Sequence, residues 1–526
     1  MKSLMKKVFA AAAAIATVFG LAATTVATAN AADNATLTVS TTDAKFAGKT
    51  VNAYKMFSAT VSSDGKAVSY TLTDEWKSFF TTALGLTGVT DTNVNDKANE
   101  YVSKLTGNDL VAFATKASNW AQTTANSIKT NKTTTVSTSA TNGNYTATFT
   151  GLDYGYYVVA VPGATLANAS GQYATLVPVN KTNVTAEIKG ALPTVVKKVN
   201  GQNATDAKIG DPLTFTLTST IPDMSAYSTY TFNFKDTLSK GLTFGKVDSV
   251  KVGDTTLAKD TDYTVSTSEG SDKSTLLTVT MLNFKAKQQT NAGKTITVTY
   301  TATLNKDAVV GGHGNTNSAT IQYSNNPSTG GTGESEPSKV RVFTYGFTVD
   351  KYTGDKYDDA ATRLAGAEFT LTPKNDSTPI SFVRVNAGSA TENAVYRVAK
   401  ADETGTTTII TPENGKVEFQ GLKNGEYTLT ETKAPAGYNK LASAIGVKVN
   451  GQNDGTDTTN ATVTITYNND NGSSYNQTAS NGVIPVQNKS GVTLPGTGGM
   501  GTIAFTVIGV LVIALGVAWT LKRKNA

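Results

Sequence analysis

Ile296-Thr297-Val298-Thr299-Tyr300 alternates apolar and polar residues one by one, as do Thr214-Phe215-Thr216-Leu217 and Glu426-Tyr427-Thr428-Leu429. Successive side chains of a strand point to opposite faces, so this period-two pattern predicts half-buried antiparallel strands. Similar segments recur through 32–497, punctuated by Gly, Asn and Pro. That order predicts an all-β chain of tandem immunoglobulin-like β-sandwiches. One stretch departs from it. Between Thr73 and Ser127, Trp76, Phe79, Phe80, Leu84, Tyr101, Leu105, Leu110, Phe113 and Trp120 include spacings of three and four. They predict a helical insertion in the first domain. Gly190-Ala191-Leu192-Pro193 breaks one strand from the next, and Asn325–Pro337 is rich in Gly, Ser, Thr and Pro before strand-like sequence resumes at Val340. Three domains follow: 32–190, 191–344 and 345–490.

Composition narrows the function classes. The 526 residues contain no cysteine and one histidine, His313. Disulfides, thiol chemistry and cysteine metal sites are excluded, and a Ser-His-Asp triad or a multi-histidine metal site is not expected. His313 lies between two glycines and reads as a loop residue. The acidic run Asp355 to Asp359 reads as a solvated turn, with calcium binding as the other option. No cofactor and no metal are expected. There are no paired catalytic carboxylates in a motif and no G-x-S-x-G, so a surface hydrolase is disfavoured. The net charge of +6 is accounted for by Lys2, Lys6 and Lys7 at one end and Lys522, Arg523 and Lys524 at the other. The segment between is formally neutral, so nucleic acid is not an expected partner.

The two ends read as addresses. Residues 1–31 have a lysine-bearing start, an apolar run from Val8 to about Ala23 and the small-x-small triplet Ala29-Asn30-Ala31, the pattern of a secretory signal peptide. Residues 491–526 contain Leu494-Pro495-Gly496-Thr497-Gly498, an apolar stretch from about Ile503 to Leu521 and then the basic tail. The stretch is long enough to span a bilayer core of about 30 Å, with the basic residues held in the cytoplasm. This three-part order resembles the LPxTG cell-wall sorting signal of Gram-positive surface proteins. The resemblance implies cleavage by a sortase between Thr497 and Gly498 and transfer of the Thr497 carbonyl to an amine, with the membrane only a temporary hold.

Strand parity then singles out groups that do not suit a core. Phe347, Val349 and Lys351 share one face; so do Tyr427, Leu429 and Glu431, and so do Ile484, Val486 and Asn488. An amine, a carboxyl and an amide are thus expected in one small core. The middle domain repeats the set: Val195, Lys197 and Val199; Phe232, Phe234 and Asp236; Asn317, Ala319, Ile321 and Tyr323. Lys198, of opposite parity, should face solvent. Ionised Lys or Glu is almost never buried unless paired. Parity leaves two readings open: a buried salt bridge capped by an amide, or an intramolecular isopeptide bond. In the second, burial favours the neutral amine and the protonated acid. The acid polarises the amide carbonyl, the amine attacks, and ammonia leaves.

Glu426-Tyr427-Thr428-Leu429-Thr430-Glu431-Thr432-Lys433-Ala434-Pro435-Ala436-Gly437-Tyr438 resembles the E-box of pilin domains, YxLxETxAPxGY. The resemblance gives Glu431 the role of isopeptide-forming acid in a Cna-B-type domain, with Lys351 in the first strand and Asn488 in the last. Phe234-Lys235-Asp236-Thr237-Leu238 is similar to the Asp-bearing segment of the other pilin isopeptide class, Cna-A-like, with Lys197 as the amine. Asn315-Thr316-Asn317-Ser318-Ala319 matches its Asn-bearing end, with Asn317 preferred and Asn315 the alternative. Over essentially its whole length the chain resembles the backbone subunit of sortase-assembled pili. That implies a structural subunit rather than an enzyme, joined to identical subunits in a covalent homopolymer. The implied partners are a pilin-specific sortase, minor or tip pilins and the cell wall. The location is the cell surface.

Such a polymer also needs an acceptor lysine outside the core. Val184, Ala186 and Ile188 share a face, which sends Lys189 toward solvent with Thr185 and Glu187. The family's pilin motif, often YPKN, ends the first domain, and Glu187-Ile188-Lys189-Gly190 matches it at the lysine alone. Lys181, in Pro178-Val179-Asn180-Lys181, is the rival. A monomeric wall-anchored adhesin is the alternative reading of the whole chain; it needs no acceptor lysine.

Overall fold

The computed structural model describes residues 34–62, 65, 67–123, 126–164, 174–188, 190–225, 227–325, 331–359, 361–452, 461–491 and 501–524. The leader 1–31, Lys189 and Leu494–Gly498 lie outside the described residues. The chain forms two compact units, Met1–Thr344 with Gln452–Thr462, and Tyr345–Gly451 with Val463–Ala526.

The first unit holds four sheets. In one, Ala35–Thr41 lies between Tyr145–Leu152 and Asn183–Glu187. In the second, Thr50–Val61 and Gly155–Ala160 are central, with Val68–Leu72, Ala174–Val179 and Lys132–Thr135 beside them. Between Val68–Leu72 and Lys132–Thr135 comes the helical insertion, a 3₁₀ turn Asp74–Trp76, a π turn Phe79–Ala83 and the helices Val94–Ser103 and Gly107–Gln122. Val94, Ala98 and Val102 are buried at a spacing of four, one face of a helix. Phe79 is the centre of the insertion's aromatic core, with Trp76, Phe80, Phe113 and Trp120 rings 5.3–5.9 Å away.

Residues 196–343 build the other two sheets of this unit. One is ordered Thr255–Thr256, Leu242–Val252, Thr295–Leu304, Pro212–Thr220, Val196–Val199. The other is ordered Ala204–Asp206, Ser338–Phe343, Asn315–Ser324, Phe232–Leu238, Thr275–Met281, Tyr263–Glu269. Burial alternates strictly along Thr295–Leu304, whose inward set is Ile296, Val298, Tyr300, Ala302 and Leu304. This is the period-two reading realised, with one face packed on the facing sheet and the other wet.

The second unit is one sheet pair. Tyr345–Thr353 pairs antiparallel with Lys416–Leu422 and parallel with Val483–Gln487, so its first and last main strands are neighbours. In the facing sheet Gly425–Lys433 lies between Glu368–Pro373 and Ile445–Gln452. Gly501–Lys524 is a helix whose side chains from Val507 to Leu521 are exposed. Among the described residues no helix is long and apolar enough to cross a membrane. The span expected at 503–521 is therefore not supported.

Candidate functional site

In the sheets of 196–343, four strands each turn one member of a polar cluster inward. Lys197 and Tyr300 project from one sheet, on strands that flank Pro212–Thr220 on either side. Asp236 and Asn317 project from the facing sheet, on adjacent antiparallel strands. Lys197 and Asp236 are each 1% exposed, Asn317 and Tyr300 0%. The Lys197 Nζ donates a short hydrogen bond to Asp236 Oδ2 and another, 3.0 Å, to the Tyr300 hydroxyl. Tyr300 donates to Asp236 Oδ2 at 2.7 Å, and Asn317 Nδ2 donates to the Tyr300 oxygen at 2.6 Å. The Phe215 ring, stacked on Tyr300, lies 5.0 Å from the ammonium. Burial pulls the Lys197 amine down to about 8 against the opposing pull of Asp236. Burial also pushes the Tyr300 hydroxyl well above its ordinary value, with the Asp236 charge adding to the effect, so it keeps its proton.

Asn315 is equally buried but sits elsewhere in function. Its amide accepts from Val309 N at 2.9 Å and donates to the carbonyls of Val309 and Val342. Its side chain clamps backbone, and it is Asn317 rather than Asn315 that meets Tyr300, the hydroxyl bonded to both the lysine and the acid. Lys198 is half-buried and reaches Asn203 Oδ1 at 2.7 Å.

The second unit has its own cluster. Lys351 is 0% exposed, Glu431 2% and Asn488 1%. Lys351 is in register with Val486 of the parallel neighbour strand, which sets Asn488 two residues on beside it. Glu431 comes from the facing sheet, opposite Phe369. Lys351 Nζ is 3.1 Å from Glu431 Oε1, an ionic contact without the direction of a hydrogen bond. Glu431 Oε2 accepts from Asn488 Nδ2 at 3.1 Å and from Leu441 N at 2.8 Å. The Asn439 carbonyl accepts from the same amide nitrogen at 2.9 Å. Burial brings the Lys351 amine down to about 8, opposed by the Glu431 charge.

In both clusters the amide faces the acid, or the tyrosine that touches it, with its nitrogen, and the oxygens of Asn317 and Asn488 have no hydrogen-bond partner among the described residues. The sequence reading expected an acid–carbonyl contact. An ionised carboxylate only accepts, so it pairs with the amide's donor.

Sequence reasoning missed three contributors. Tyr300 read as one more apolar-face aromatic. Asn439 and Leu441 act through backbone atoms, which no side-chain pattern reveals. Asp350, of outward parity, is also 0% exposed, covered by Arg363 at 2.8 Å, Tyr357 at 2.9 Å and Lys416 at 3.8 Å. His313 lies exposed in a turn, as do Asp355, Asp358 and Asp359, and among the described residues no cluster of His, Cys, Asp or Glu could hold a metal. Lys181 is exposed just before Asn183–Glu187, a strand whose Val184 is buried and whose Thr185 and Glu187 are exposed.

Residues 209–327 match the family described as Gram-positive pilin backbone subunit 2, Cna-B-like domain. Residues 350–465 match a prealbumin-like fold domain, and residues 486–526 the LPXTG cell wall anchor motif. The trypsin-resistant surface T6 protein of Streptococcus pyogenes is 25% identical over 331 residues, 56% of this chain and 55% of that protein. The fimbrial subunit type 2 of Actinomyces naeslundii is 25% identical over 311 residues, 54% of each. The chain thus spans about half the length of the curated relatives it matches. Among solved structures, the T6 backbone pilin of Streptococcus pyogenes aligns with 88% of this chain and 100% of its own, at 18% identity and a TM-score of 0.46. The major pilin SpaD of Corynebacterium diphtheriae aligns with 88% and 98%, at 20% identity and a TM-score of 0.40. A backbone-pilin domain, a prealbumin-like domain and a terminal LPXTG anchor motif in one chain, with a fimbrial subunit among its curated relatives, together support a Gram-positive backbone pilin with an LPXTG sorting signal.

Proposed function

We propose that the protein is the shaft subunit of a covalent pilus, built of domains 32–190, 191–344 and 345–490. A sortase cleaves between Thr497 and Gly498 and joins the Thr497 carbonyl to a lysine of the next subunit, Lys189 or, failing that, Lys181. Inside each subunit, Lys197–Asn317 and Lys351–Asn488 become isopeptide bonds, with Asp236 and Glu431 as the acids. The observation that carries this reading is the repetition of one buried amine–acid–amide cluster in two unrelated stretches of sequence. A lone buried ion pair has no need of an amide beside it, whereas an amine and an amide gathered into one cluster around a shared acid, or the tyrosine that touches it, have the proximity that attack requires.

Intact mass tests it directly. The folded chain, after removal of its leader, is expected to be lighter than its sequence by two ammonia molecules. A full-mass chain would leave two ordinary buried salt bridges. Peptide mapping of native fibres is expected to yield a branched fragment joining Thr497 to the acceptor lysine.

The rate should carry a pH signature. The reactive form pairs a neutral amine with a protonated acid, and it holds as many protons as the ion pair. Its share is therefore independent of pH while the pair keeps its proton. Above about 8 the amine loses that proton to solvent and faces a carboxylate. Chain refolded from the unlinked, unfolded state is expected to lose ammonia at a constant rate just below that point and about tenfold more slowly per pH unit above it. A rate that climbs through pH 8 to 10 would remove the acids from the mechanism.

A further inference from the structure

We propose that Tyr300 is a catalytic residue of the middle cluster, a proton relay that lets an aspartate do what a glutamate does in the second unit. This rests on the isopeptide reading above. In the second unit Glu431 Oε2 touches the amide nitrogen of Asn488 directly, at 3.1 Å. In the middle cluster the acid is one methylene shorter, and among the described residues no hydrogen bond joins Asp236 to Asn317. The gap is filled by one hydroxyl. Tyr300 donates to Asp236 Oδ2 at 2.7 Å and accepts from Asn317 Nδ2 at 2.6 Å and from Lys197 Nζ at 3.0 Å. One donated and two accepted bonds exhaust a hydroxyl's capacity. All three partners are the reacting groups themselves, so the tyrosine has no competing structural bond. No hydroxyl touches Glu431 or Asn488 among the described residues; the Asn439 carbonyl and Leu441 N–H hold that cluster instead.

The step balances as follows. With Asp236 protonated and Lys197 neutral, Nζ attacks Asn317 Cγ. A C–N bond forms, and the carbonyl pair moves to Oδ1. Tyr300 passes its proton to Nδ2 and takes one from Asp236, whose carboxylate then removes a proton from Nζ. The Oδ1 pair returns, the Cγ–Nδ2 bond breaks and ammonia leaves. Asp236 and Tyr300 end with the protons they began with.

Two variants of the full chain test this, each with the other cluster as an internal control. In Tyr300→Phe, time-resolved intact mass during refolding is expected to show the middle ammonia lost at least about 10²-fold more slowly, while the second-unit ammonia leaves at the wild-type rate. Glu431→Asp shortens the acid where no hydroxyl can bridge, and is expected to slow the second-unit bond similarly while the middle bond forms normally. Equal rates for wild type and Tyr300→Phe would overturn the relay. So would an unslowed Glu431→Asp, an outcome that does not depend on how Tyr300→Phe folds. Failure of the underlying reading looks different: wild type itself would then keep the middle ammonia.

Discussion

Glu431→Ala is expected to return the missing ammonia to the second unit and to lower its stability by about 5 kcal/mol or more. The larger share comes from the cross-link. Lys351 and Asn488 are 137 positions apart in the chain, and by analogy with disulfide loop closure a tie of that length restricts the unfolded chain by about 5 kcal/mol. A second share comes from the amine. With its only carboxylate gone, Lys351 stays in a fully buried site, and breaking a buried pair by removing one partner typically costs about 3–5 kcal/mol. Part of that is recovered because the lysine deprotonates, its affinity for the proton having already fallen. Calorimetry should resolve the loss as a lowered transition for the second unit, with that of residues 196–343 unmoved. A variant that still lacks the ammonia and melts like wild type would strip Glu431 of its role.

The second large effect lies on the outside. Lys189→Ala is expected to abolish the ladders that survive boiling in detergent, leaving subunits attached singly to the wall. Lys181→Ala is expected to leave the ladders intact. A sortase thioacyl needs a neutral, accessible amine, and the expected outward parity of Lys189 provides it next to Gly190. If ladders persist in Lys189→Ala and vanish in Lys181→Ala, the acceptor lies in the exposed turn ahead of Asn183–Glu187 instead. If both variants polymerise, the adhesin reading of a singly anchored chain fails as well, and the acceptor is a third lysine.

Much of this was legible because a pleated strand is a strict code. Phe347-Val349-Lys351 and Ile484-Val486-Asn488 could be assigned to one face by counting in twos, and their burial follows the count. The code fails where a second layer covers the outer face. Asp350 should be wet by parity, yet Tyr357 and Arg363 of the following segment fold back over it. It is also silent about chemistry on an apolar face. Tyr300 keeps the parity of Ile296 and Val298, and nothing in that pattern separates a packing ring from one whose hydroxyl meets three reactive groups. The helical insertion was visible from aromatic spacing, but its division was not. Val94–Ser103 and Gly107–Gln122 are distinct helices because the chain between them leaves helical geometry, Thr106 being extended at φ −140°.

The parallel pairing of Tyr345–Thr353 with Val483–Gln487 sets how far the second unit can lengthen. Once Lys351 is joined to Asn488, a pull applied at Tyr345 and at the residues after Asn488 runs along a few residues of one strand, across the new amide and straight out. The 136 residues from 352 to 487 hang from that line as a closed side loop. Fully drawn out they would measure about 450 Å, and none of that contour can be released. A filament of such units has no slack to spend on damping a sudden jerk. Any give must come from the junctions between modules.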